Sequence, residues 1–284
     1  MAPGPGARGM GPSSGGGSLP APPPAGLPPR AKGPASAGAY TTIPRGPTSR
    51  EELKIAWQYP TYVEKSSAAQ GETRALQVRH ALTPTQAFAF LAGDDRRPLL
   101  VLRECLRCNG TDDALMNRDE DNERTLLMSR WFHCVKLPPD VLSEDQPFHA
   151  LFAGENPGHL FVAHWDGSGR KDLSGQQSRS ELWALLGAFL DAEYEKSCDG
   201  ALKGLRAVLD HLDKTDSELD LVQERIDALI EKGQADSAKA RQLRAEQAEL
   251  ESARAEARAA ALKLSDCKLR PASPPSESAP GGVR

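Results

Sequence analysis

The run "PLLVL", residues 98 to 102, constrains the chain most. A continuous apolar stretch of strand length offers no face to water, so both of its faces must be covered. The stretch before it, "LTPTQAFAFLAG", is built to supply such cover. Thr83 can N-cap a helix, Pro84 fits the first helical position, Gln86 completes a capping box and Gly93 ends the helix. A doubly buried strand beside a capped helix predicts an α/β domain.

Other segments extend the alternation. "LQVRH", 76 to 80, alternates apolar and polar residues as a half-buried strand does. "TDDALM" reads as a helix with Thr111 as N-cap, and "NERTLLMSR" as a second helical stretch. "WFHCVKL", 131 to 137, reads as a strand stopped by Pro138-Pro139, and "DVLSEDQPFHALFAG" as a helix interrupted near Pro147. "HLFVAHW", 159 to 165, is a strand; Asp166-Gly167 turns the chain and "RKDLSG" returns it. "SRSELWALLGAFLDAEYEK" is a long amphipathic helix, with Ser178 and Glu181 as its capping box. The order is β-α-β, a Cys-x-x-Cys pair, then α-β-α-β-β-α. The first half requires a parallel sheet, and the last two strands form a hairpin.

The flanks differ in composition. Residues 1 to 50 are Gly, Pro, Ala and Ser with almost no large apolar side chain, so a disordered arm is expected. Residues 51–75, with Trp57, Tyr59 and Tyr62, read as a packing or linker segment. The periodic region is bounded as 76–197. Residues 201–265 lack aromatics and are rich in Ala, Glu, Lys, Arg and Leu, the composition of a coiled coil or helical hairpin. Leu219, Val222, Ile226 and Leu229 are spaced 3-4-3, and Leu243, Leu250 and Leu264 continue the frame. "EKGQADS" is the natural break, with helices at about 216 to 232 and 236 to 264 as one solution. Residues 271–284 return to Pro, Ser and Gly.

The net charge of -4 argues against a nucleic-acid partner. No stretch has the roughly eighteen apolar residues of a membrane span, and the N-terminus has no apolar core of a signal peptide. With five cysteines, an odd number, a cytoplasmic chain with mostly reduced thiols is the expectation.

Cys105 and Cys108 follow the buried strand directly. Three readings of the pair stand: a redox dithiol, half of a metal site, or two inert core thiols. A structural zinc needs four ligands, and His133, Cys134 and His149 are the further candidates. Cys134 lies mid-strand and reads as core; Cys198 and Cys267 lie near helix ends and read as solvent-accessible. His159 and His164 have no triad-like partner spacing. "RDEDNERT" alternates Asp119, Asp121 and Glu123, but an EF-hand loop needs Gly where Arg124 stands, so a solvated acidic turn is expected. No metal and no cofactor is expected.

The order of elements and the place of the pair resemble the thioredoxin-like superfamily over about residues 76 to 197. The resemblance implies a mixed sheet flanked by helices. It implies that Cys105 attacks a substrate disulfide, that Cys108 resolves the mixed disulfide, and that a cis Pro157 faces them. Arg103 and Arg107 would lower the thiol pKa, and Glu104 would oppose them. Members usually carry an aromatic where Glu104 stands, and a helix runs on where Asn109-Gly110 follows. Two functions are therefore carried forward. One is a thiol-disulfide oxidoreductase or redox sensor acting on protein thiols or disulfides. The other is a non-catalytic scaffold that self-associates, or binds a partner helix, through its coiled coil.

Overall fold

The computed structural model describes residues 45–62, 80–105, 115–116, 121–155, 157–173 and 177–271. The expected strand at 76 to 80, the helix at "TDDALM", both expected disordered ends and Cys108 lie wholly or mostly outside them. The described residues all belong to one unit, Ala35–Arg284.

The elements in chain order are α1 (Pro47–Glu52), α2 (Pro84–Ala92), β1 (Leu99–Arg103), α3 (Glu123–Met128), β2 (His133–Leu137), β3 (Leu160–Ala163), β4 (Lys171–Leu173), α4 (Arg179–Glu193), α5 (Asp199–Glu231) and α6 (Ala238–Ser265). Among the described residues the fold is mixed α/β on a four-stranded sheet of order β2-β1-β3-β4. β1 runs parallel to β2, with Leu99 opposite His133 and Arg103 opposite Leu137. β3 is antiparallel to β1, and β4 is antiparallel to β3.

β1 is central and buried along its whole length, as its apolar run requires. Its side chains alternate between two cores. Leu100 and Leu102 join Cys134, Leu160 and Val162 under α3, α4 and the first turns of α5. Leu99 and Val101 join Val135, Leu137, Phe161 and Ala163 under α2 and two short 3-10 turns. The capping boxes of Thr83 with Gln86 and of Ser178 with Glu181 are both formed.

The β3–β4 turn needs its glycine. Gly167 has φ +85°, and a Cβ there would stand 2.2 Å from the Phe88 ring. Only a residue without a side chain lets the turn close this tightly over α2.

Two expectations change. The helix expected over "DVLSEDQPFHALFAG" is instead a pair of 3-10 turns, Pro139–Leu142 and His149–Phe152. Pro147 is the physical reason, since it lacks an N–H and restricts the residue before it. The first C-terminal helix starts at Asp199, far upstream of 216. Leu202, Leu205, Leu209 and Leu212 carry its apolar seam backward, and the first three sit in the core under the sheet. Asp216 occupies the next seam position and is buried; it accepts from the Thr48 N–H at 3.0 Å and the Thr48 hydroxyl at 2.8 Å.

α5 and α6 form an antiparallel helical hairpin. Gln247 donates to Gln223 at 3.1 Å, and Arg254 lies 3.7 Å from Asp216. Val222, Ile226 and Leu229 of α5 bury against Ala240 and Leu243 of α6. The seam of α5 is thus covered within the same chain. Among the described residues no helix is long and apolar enough to cross a membrane.

The segment before the sheet packs. Gln58 lies along β2 in parallel, its N–H donating to Cys134 O at 2.9 Å while the Lys136 N–H donates to Gln58 O at 2.8 Å. α1 sits on α5, held by Arg45 and Thr48.

Candidate functional site

The candidate site lies at the C-terminal end of β1. The last residue of β1, Arg103, and the first beyond it, Glu104, both have their backbone N–H tied down. The Arg103 N–H donates to His159 O at 2.7 Å, and the Glu104 N–H donates to Leu137 O at 2.8 Å. Cys105 therefore emerges between the end of β2 and the start of β3.

Cys105 is disulfide-bonded. Cys134, Cys198 and Cys267 are free thiols. Pro157 lies at the same end of the sheet, and its carbonyl accepts from Arg103 Nη2 at 3.3 Å. No cis peptide bond occurs among the described residues, and the bond before Pro157 involves Asn156, which lies outside them.

Two cations are buried beneath this end. Arg103 is 5% exposed and Lys136 4%. The Arg103 guanidinium lies 5.7 Å from the Phe152 ring centre, and burial pulls its pKa down. Lys136 Nζ stands 5.9 Å from the Trp57 ring centre and 3.4 Å from Glu104 Oε1. The Glu104 carboxylate is thus turned to a buried ammonium. Burial, and then the Arg103 charge, lower the His159 pKa, so its imidazole is held toward the neutral form. Sequence reasoning found Arg103 and missed Lys136. A lysine in the middle of an apolar strand was the available signal.

The other residues go elsewhere. His133 Nδ1 lies 2.9 Å from Asp95 Oδ2. The Cys134 thiol donates to Ser129 O at 3.4 Å, and burial pushes it up to about 12. His149 belongs to the second 3-10 turn. His133, Cys134 and His149 do not converge, and no group of three metal-ligating side chains occurs among the described residues. His164 pairs with Glu193.

Two expectations are corrected here. Glu123 does not belong to a solvated acidic turn: it is 2% exposed, with Arg45 at 2.7 Å and Arg206 at 3.3 Å. Its charge finds cations from two distant segments, which nothing in "RDEDNERT" announces. Cys198 is not solvent-accessible but buried, because α5 begins beside it and carries its first leucines into the core.

A cleft of about 530 Å³ opens near the start of β1, lined by Arg97, Arg130, Trp131, Tyr194 and Cys267 among others. It touches neither Cys105 nor Pro157 and sits at the other end of the central strand. No protein-family model, no curated protein and no solved structure matches the chain.

Proposed function

We propose that this is a thioredoxin-like thiol-disulfide oxidoreductase whose working pair is Cys105 and Cys108. One observation carries the reading: Cys105 is in a disulfide at the end of the central strand, while three of the other four cysteines are free. In this reading its partner is Cys108, three residues on. The sheet order supports the fold, with a parallel neighbour on one side of β1 and an antiparallel pair on the other. The contact of Arg103 with Pro157 supports the proline's role beside the pair.

The chemistry follows from the charges. A thiolate of a substrate dithiol attacks Cys105, the Cys105–Cys108 bond breaks, and Cys108 leaves as a thiolate that takes up a proton. The second substrate thiol then displaces Cys105, leaving a substrate disulfide and two reduced cysteines. Buried Arg103 and Lys136 favour negative charge at this end of β1, and so favour the reduced pair. That makes the disulfide an oxidant rather than a structural staple.

The second reading is a non-catalytic scaffold. Glu104 favours it, because a carboxylate 3.4 Å from Lys136 offsets the cation next to the pair. Insulin reduction with dithiothreitol separates the two readings. The oxidoreductase accelerates it, and Cys105→Ser loses the acceleration. Equal rates for wild type and variant leave the scaffold.

A further inference from the structure

The root of the helical hairpin holds a second pair of cysteines. Cys198 stands just before α5, and Cys267 two residues after α6. A short antiparallel bridge, Tyr194 to Leu269, zips the two segments together. Glu195 N–H donates to Lys268 O at 2.9 Å, and Arg270 N–H donates to Glu193 O at 2.7 Å. The zip brings the two cysteine-bearing segments together. Cys198 is buried in the core, and Cys267 packs against it partly exposed.

We propose that Cys198 and Cys267 form a second, reversible disulfide that clamps the root of the hairpin, with a low-molecular-weight disulfide such as oxidised glutathione as the oxidant. This stands apart from the reading of Cys105, since it uses different cysteines near the other end of β1. A disulfide needs its sulfurs about 2 Å apart, and the bridged segments that carry the two cysteines, both packed on one apolar core, are what bring them together.

Access decides the order of steps. Cys267 borders the cleft of about 530 Å³, so an incoming disulfide meets it first. The Cys267 sulfur attacks one sulfur of the oxidant, forms a mixed disulfide and releases one small thiol. Cys198 then attacks the Cys267 sulfur and releases the second small thiol. Two protein thiols and one small disulfide become one protein disulfide and two small thiols. Burial pushes the Cys198 thiol up to about 12, which suits a resolving cysteine that acts only on a bound neighbour.

The consequence is mechanical. The bond closes a loop that contains all of α5 and α6, so oxidation restricts the unfolded chain and raises Tm by roughly 5–15 °C.

The test uses the full chain, incubated in oxidised glutathione and then alkylated and digested with trypsin. The expected product joins peptide 197–203 to peptide 264–268. In Cys198→Ser, glutathione stays on Cys267. In Cys267→Ser, where the exposed attacker is gone, Cys198 stays a free thiol. A wild-type chain without the 198–267 cross-link overturns the proposal, as does glutathione trapped on Cys198 in Cys267→Ser.

Discussion

Arg45 and Glu123 meet at 2.7 Å with side chains only 4% and 3% exposed. Arg45 also reaches Asp210 at 2.6 Å and Asp213 at 2.8 Å. Burial works against its charge, but its hydrogen bonds to Asp213, Asp210 and Glu123 outweigh it and hold the guanidinium above its already high range. One side chain thus ties the N-terminal segment to α3 and α5.

Removing that cation leaves Glu123 buried with, among the described cations, Arg206 at 3.3 Å. Breaking one side of a buried ion pair costs about 3–5 kcal/mol, and Arg206 puts this case near the lower end. Arg45→Ala should lower stability by about 3 kcal/mol in urea unfolding. Adding Glu123→Gln should recover part of that loss. A loss below about 1 kcal/mol would show that the network contributes little.

The Cys134 thiol gives a pH signature. Burial raises it to about 12, against an unfolded value near 8.5. A group whose pKa is raised in the fold lends stability that is full below its unfolded value and is lost as pH rises toward its folded one. Stability should therefore fall between about pH 8.5 and 12, by about 1.4 kcal/mol per pH unit for this thiol. Cys134→Ala should remove that component of the slope, read from denaturant midpoints at pH 8, 9 and 10. An unchanged slope would put the alkaline loss on other groups.

Gly167 supplies a steric test. Gly167→Ala forces a Cβ to 2.2 Å from the Phe88 ring at a φ of +85°. Strain of this kind costs of order 1–3 kcal/mol. Phe88→Leu in the same chain should relieve the clash and leave only the backbone part. Thermal unfolding of the two variants reads the difference directly.

What was legible in the sequence was local. The apolar run of β1, the capping boxes of Thr83 and Ser178, and the turn at Gly167 each depend on neighbours a few residues away. What was not legible depends on distant partners. Arg45 finds Asp210 across 165 positions, and no local pattern in the arm announces it. The early start of α5 was hidden by Asp216, a charge in the apolar seam whose partners, Thr48 and Arg254, are distant in sequence. The burial of Cys198 follows from that same start. At the candidate site, the place of Cys105 after β1 could be read directly, whereas the ammonium of Lys136 reaches it only through the pairing of β1 with β2.

As proposed, the Cys105 disulfide is a working one. The most direct measurement is its midpoint potential, from glutathione buffers of graded ratio with Cys105 alkylation read by mass spectrometry. Working pairs of this chemistry fall between about -270 and -120 mV, and structural disulfides below about -300 mV. The expected midpoint lies in the first range, and Lys136→Met moves it to more negative values because a buried cation that favours the thiolate is gone. A midpoint below about -300 mV, unmoved by Lys136→Met, would contradict the proposal.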